Sequence, residues 1–223
     1  MIKKLQKLKA KKGFTLVELI VVIAIIGVLA AILIPTMLGF VTSSRVTSAN
    51  TTAAEIQKQI NNFLTDADTA GYGMKKSNSA IASFSFAIDD QGEWTTTLSQ
   101  GSYSPAADTA FKGTKNWGTD VTAKANDDTK TKAEIEDATE LMTRTIADVF
   151  PDLKSAYVFA YCVGGSCKYV AYSADGNTKP DTMPSEDDFK NGVYGWDGNT
   201  AGITSDGIIL GTAPELKLGT ATE

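Results

Sequence analysis

The chain is expected to be α+β, with a long N-terminal α-helix packed on a head built around an antiparallel β-sheet. Three observations lead there. Residues 14–41 hold a single charged side chain, Glu18, and as a helix are long enough to cross a membrane. The residues that follow keep a helical spacing of apolar positions but gain a polar face. Beyond about residue 71 the chain breaks into short alternating runs separated by turn signals. At 223 residues and 43% hydrophobic, it can build one modest core with an appendage.

The expected divisions are a basic leader at 1–13, an N-terminal helix at 14–70 (spanning half, then amphipathic half) and a globular head at 71–223. The leader holds six lysines, Lys3, Lys4, Lys7, Lys9, Lys11 and Lys12, and no acid. Taking these six from the 21 basic side chains leaves 15 against 26 acidic, a net of −11 for 14–223. A body that acidic is repelled by phosphate backbones, so general nucleic-acid binding is not expected. The chain has no histidine, which removes Ser-His-Asp and Cys-His nucleophile arrangements and the usual histidine zinc sites. Two cysteines cannot supply a four-thiolate zinc site either. No catalytic constellation, resident metal or cofactor is expected.

As a helix, 14–41 would be about 42 Å long against a hydrocarbon core of about 30 Å. Lysines on its N-terminal side alone predict the N-terminus inside and the body outside. The head is then in a compartment where disulfides form. A removable secretory signal, cut near Val28-Leu29-Ala30, and a plain membrane anchor both fit the hydrophobicity. Neither explains Glu18, because an ionisable group within a span is costly and marks function by default. Nor does either explain the residues around it, Lys11-Lys12-Gly13-Phe14-Thr15-Leu16-Val17-Glu18.

That run resembles the type IV pilin and pseudopilin signature, and the resemblance continues through the apolar residues to Pro35, covering about 50 residues. It implies that a prepilin peptidase cuts after Gly13, leaving Phe14 as an N-methylated first residue. It also implies that Glu18 neutralises the Phe14 amino group of a neighbouring subunit. A carboxylate in a low-dielectric bundle is tolerable when so paired, and the pair would fix axial register. Gly27 and Pro35 bracket a stretch that, by the resemblance, loses helicity in filaments; proline removes a helical N–H and glycine raises the entropy cost of helix.

The function implied is that of a structural subunit of a pilus-like surface filament for adhesion or motility, including twitching. Alternatives are a pseudopilin of a type II secretion or DNA-uptake machine, and a non-polymerising, membrane-anchored carbohydrate-binding ectodomain. The implied partners are the peptidase, an inner-membrane assembly platform, other pilins and further copies of the chain. The location would be the cytoplasmic membrane as a single-pass precursor, then the extracellular filament.

Past Val41, the positions Val46, Ala49, Ala53, Ile56, Ile60 and Phe63 form one apolar stripe, opposite Arg45, Asn50, Glu55, Lys58 and Asn62. One helix from 14 to about 65 is expected, its second half packed on its own head and ended by Gly71-Tyr72-Gly73. Strands are expected at 81–88 and 93–98, joined by Asp89-Asp90-Gln91-Gly92. Residues 100–128 read as loop, long enough to hide short elements. A helix is expected from the capping-box pattern Thr131-Lys132-Ala133-Glu134 to just before Pro151, on the stripe Ile135, Ala138, Met142, Ile146 and Val149.

Residues 156–173 read as a hairpin about Gly164-Gly165, a pair suited to a primed turn. Counting outward sets Val163 against Ser166, Cys162 against Cys167, Phe159 against Val170 and Tyr157 against Tyr172. In that register the cysteine pair is non-hydrogen-bonded, with Cα atoms about 4.5 Å apart, inside disulfide range. A Cys162–Cys167 bridge is therefore expected, unlike the bridge enclosing a long C-terminal loop in many Gram-negative pilins. A final strand is expected at 206–211. Asp-Gly-Asn at 175–177 and 197–199 and the acidic Glu186-Asp187-Asp188 invite a calcium reading but serve equally as turns and a solvated face. Trp94, Trp117 and Trp196, near glycines, invite sugar stacking, against ordinary packing.

Overall fold

The computed structural model describes residues 14–100, 110–113, 115–127, 129–181, 183–196, 201–205 and 207–219. It divides into two units, Met1–Ser43 and Ser44–Glu223. Helix α1 (Leu16–Thr69) contributes to both. Its stripe behaves as the spacing predicts: Val46, Ala49, Ala53, Ile56, Ile60 and Phe63 are all buried, joined by Leu64 and Ala67.

The second unit is built on a six-stranded antiparallel sheet in the order β3-β2-β1-β4-β5-β7. Strands β1 (Ile81–Ile88) and β2 (Glu93–Gln100) form the expected hairpin, with Phe84 opposite Leu98. In β1 every second residue is buried, so Ala82, Phe84, Phe86 and Ile88 face the core. Strand β3 (Asp120–Lys124) lies in the stretch read as loop and pairs with β2, Trp94 opposite Ala123. Only Val121 and Ala123 are apolar in it, too few to mark a strand by alternation.

Helix α2 (Ala138–Val149) starts later than the sequence pattern suggests. Glu134 does accept bonds from the Thr131 amide and hydroxyl, at 2.8 Å each, but around an isolated turn. The true N-cap is Asp137, whose carboxylate accepts from the amides of Thr139 and Glu140. The intervening backbone is drawn away to other partners: Lys115 donates to the Ile135 carbonyl, and the Ala138 amide donates to that of Asn116.

Strands β4 (Ala156–Val163) and β5 (Ser166–Ser173) turn at Gly164 and Gly165, both at positive φ. Val163 faces Ser166 and Cys162 faces Cys167. A bulge then shifts the register, so Phe159 lies opposite Ala171 rather than Val170, and Tyr157 opposite Ser173 rather than Tyr172. The last sheet strand is β7 (Leu210–Ala213), beginning four residues after the expected start and buried at every position. Between β5 and β7 the chain forms α3 (Glu186–Asn191) and the short strand β6 (Val193–Tyr194), which pairs in parallel with β8 (Lys217–Leu218).

The head half of α1, together with α2, packs on one face of the sheet in a single apolar cluster running through Ile56, Ile60, Phe84, Phe86, Trp94, Met142, Ile146 and Val158. A smaller cluster of Ala171, Phe189, Trp196, Leu210 and Leu216 joins α3 to β5 and β7. Two burial clusters thus explain why β7, despite Gly211 and Thr212, has no exposed residue.

Candidate functional site

The segment that the sequence singles out is the start of α1. Its side chains from Phe14 (86% exposed) to Val41 (50%) lie open within their unit. Its most apolar 18-residue window has a mean hydropathy of 3.2, and none of it is buried. An apolar surface this continuous is unstable in water and calls for lipid or other helices around it. Gly27 has open space where a Cβ would stand, and α1 runs unbroken through Pro35. Proline there leaves the Ala31 carbonyl without its helical donor, while Thr36 turns its hydroxyl onto the Leu33 carbonyl at 2.9 Å.

Glu18 sits in the first turn, where exposed amides and the helix dipole favour a negative charge. The Thr15 amide and hydroxyl both donate to Glu18 Oε2, at 2.8 and 2.7 Å. The Glu18 amide donates back to Thr15 Oγ1 at 3.2 Å. This reciprocal capping box adds Thr15 to the surroundings of Glu18, a partner that sequence reasoning missed although Thr15-x-x-Glu18 carries its signature. The bonds use Oε2; among the described residues Oε1 takes none. The carboxylate is therefore held in place through Oε2. Phe14 directly precedes the cap, and Gly13 lies outside the described residues.

The head half of α1 is fastened to the sheet by three amide side chains. Asn50 accepts from the Thr212 amide at 2.8 Å. Asn61 accepts from the Cys167 amide at 2.8 Å and donates to its carbonyl at 3.3 Å. Gln57 donates to the Lys168 carbonyl at 2.8 Å. Asn61 and Gln57 thus bond the β5 backbone beside the bulge, and Asn50 that of β7. Cys162 and Cys167 are both buried on the same face and both are free thiols in the structure. Burial, with the neighbouring Cys167 thiol, pushes the Cys162 thiol well above its ordinary range.

The other candidate chemistry resolves into packing. Trp94, Trp117 and Trp196 are all buried, which is the ordinary packing weighed against sugar stacking. Trp117 stacks on Phe111 and donates its indole N–H to the Tyr72 carbonyl at 2.9 Å. The acidic run opens α3: Ser185 and Asp188 form its capping box, and Glu186 binds the Tyr161 hydroxyl at 3.0 Å and Lys190 at 2.8 Å. Asp175 bonds the Ile209 amide and Arg45; the second Asp-Gly-Asn lies outside the described residues. Among the described residues no three His, Cys, Asp or Glu side chains converge as metal ligands.

Comparison with known proteins gives two family matches. Residues 8–34 match the family described as the prokaryotic N-terminal methylation motif. Residues 46–217 match a domain of unknown function, DUF5021. The type IV major fimbrial protein FimA of Dichelobacter nodosus is 41% identical over 71 residues, 30% of this chain and 44% of the relative. A fimbrial protein of Moraxella nonliquefaciens is 39% identical over 74 residues, 30% of this chain and 48% of the relative. A fimbrial protein of Pseudomonas aeruginosa is 55% identical over 42 residues, 19% and 27%. The chain thus spans at most about half the length of these curated relatives. No solved structure matches it significantly. The N-terminus of the chain is similar to those of type IV fimbrial proteins, and through residues 46–217 the chain belongs to the family of the domain of unknown function DUF5021.

Proposed function

We propose that the chain is a structural subunit of a type IV pilus-like surface filament, polymerising through the apolar half of α1 and displaying the α+β head for adhesion or motility. The observation that carries this reading is the exposed apolar helix from 14 to 41 whose one acid, Glu18, is held by Thr15 in the first turn. In a bundle of such helices a neighbour's cationic N-terminus is the partner that a carboxylate needs. That amine exists at Phe14 only if a prepilin peptidase cuts after Gly13, so processing and assembly stand together in the proposal.

The sequence of events follows from the chemistry. The precursor inserts with its lysines inside and waits in the cytoplasmic membrane as a single-pass protein. Cleavage after Gly13 removes the lysines and exposes the Phe14 amine, which is methylated. An inner-membrane assembly platform then moves subunits from lipid into the filament, where apolar α1 surfaces pack on one another and each Glu18 meets the Phe14 amine of an adjoining copy. Gly27 and Pro35, the weakest helical positions of the segment, are where α1 would lose helicity under that packing.

The test is incorporation of a Glu18→Ala chain in cells that lack the wild-type copy. The expected result is normal membrane insertion and cleavage with no chain in the sheared surface fraction. Surface filaments at wild-type yield would overturn the assembly role.

A further inference from the structure

We infer that Cys162 and Cys167 close a disulfide after export and that this bond locks the β5 bulge on which α1 is fastened. The juxtaposition behind it has three parts. The cysteines are direct cross-strand partners, buried on the same face of neighbouring strands. Opposed residues of an antiparallel pair have Cα atoms about 4.5 or 5.5 Å apart, and both spacings lie within disulfide range. The register shift falls immediately beside the pair, between Cys162 and Tyr161.

The third part gives the bond its consequence. The backbone of Cys167 is the point that Asn61 grips twice, through its amide and its carbonyl, and the next carbonyl, of Lys168, is held by Gln57. A bulge is the flexible point of a strand, because its extra residue has no ladder partner. Tying Cys167 to Cys162 fixes that point against β4, so the peptide presented to Asn61 keeps one orientation. The bond spans only the hairpin turn, so constraint of the unfolded chain is small for such a short loop. Its effect is expected in the native state, on the attachment of α1.

The chemistry balances with an external disulfide as oxidant, of the kind found outside the cytoplasm. One cysteine thiolate attacks it and releases a thiol; the second cysteine thiolate attacks the mixed disulfide and releases another. The Cys162 and Cys167 protons and two electrons end on the oxidant's two sulfurs. The high thiol pKa of Cys162 makes this slow in the folded head, so closure belongs to folding rather than to later exchange.

The inference rests on the export part of the proposed function, but its test does not. The full chain is refolded in detergent with oxidised and reduced glutathione, then denatured and alkylated. The expected result is that neither cysteine takes the label; labelling of both would overturn closure. Oxidised and reduced chains are then compared by hydrogen exchange at the Cys167 amide, which donates to Asn61. Exchange at least tenfold slower in the oxidised chain is expected, and equal rates would overturn the lock. Asn61→Leu should shrink the difference in Tm between the two forms; an unchanged difference would confine the bond's effect to the hairpin and reject the link to α1. A chain that closes in vitro yet carries free thiols in the sheared surface fraction would overturn closure after export.

Discussion

At Gly211 the strand β7 lies close against the main chain of α1, and replacing it with alanine measures how tightly the helix is held. A Cβ at this position would run into the main chain of Ala49 and lie 2.6 Å from the Asn50 amide nitrogen. The obstacle is backbone, so no rotamer change relieves it; α1 must lift from β7. Overpacking of this kind costs about 1–3 kcal/mol, with the upper end expected where backbone must move. Lifting also stretches the bond from the Thr212 amide to Asn50, now 2.8 Å, whose loss adds about 1 kcal/mol. The sum is about 3–4 kcal/mol, or a fall in Tm of about 6–16 °C for a domain of this size. The assay is urea unfolding of the full chain in detergent, followed by fluorescence of the buried tryptophans. Gly195→Ala, where a Cβ meets nothing within 4 Å, should stay within about 0.5 kcal/mol of the parent. Ala49→Gly should not rescue Gly211→Ala, because the clash is with main-chain atoms. A Gly211→Ala chain as stable as the Gly195→Ala control would refute the close crossing.

Three further outcomes are expected. Glu18→Gln keeps a capping-box side chain but loses the charge, whereas Thr15→Ala loses the cap and keeps the charge; sheared filament should vanish with the first and only diminish with the second, and the reverse order would make Glu18 a helix cap and nothing more. Tyr161, raised to about 12 by burial and by its bond to Glu186, favours the fold while neutral, so its contribution fades as pH climbs from about 10 towards 12. In an alkaline absorbance titration, Tyr161→Phe should remove the latest-ionising component, and an unaltered late phase would contradict that environment. Asp89 is held below the usual carboxylate range chiefly by the Glu93 amide, then by that of Gln91, so its stabilisation is present above that range and lost as acid protonates it. Asp89→Asn should weaken the head at neutral pH and flatten its acid-induced loss of stability, as followed by circular dichroism; an unchanged acid profile would contradict this.

Much of this was legible because local chemistry and tertiary packing agreed. The α1 stripe, the β1–β2 hairpin and the Gly164-Gly165 turn each carry a period or turn residue that packing then uses. The hairpin register failed beyond Cys162 because the bulge is stabilised by Asn61 and Gln57, more than a hundred residues away, which no local pattern contains. Strand β3 stayed hidden because it borrows its order from β2 and α2 rather than from its own alternation. The tryptophans stayed open between packing and sugar contact for a related reason: Trp117 lies in a segment poor in apolar residues and packs against Phe63, Phe84 and Phe111. At the N-terminus the charged residue was conspicuous and its threonine cap was not, since an apolar run draws attention to its exception.

The account stands most directly on the mature N-terminus of the chain sheared from the cell surface, read by intact and peptide mass spectrometry. It predicts a chain that begins at Phe14 and is heavier by one methyl group. A chain beginning near Ala31, or one still carrying the lysine leader, would contradict assembly through a Phe14 amine and Glu18.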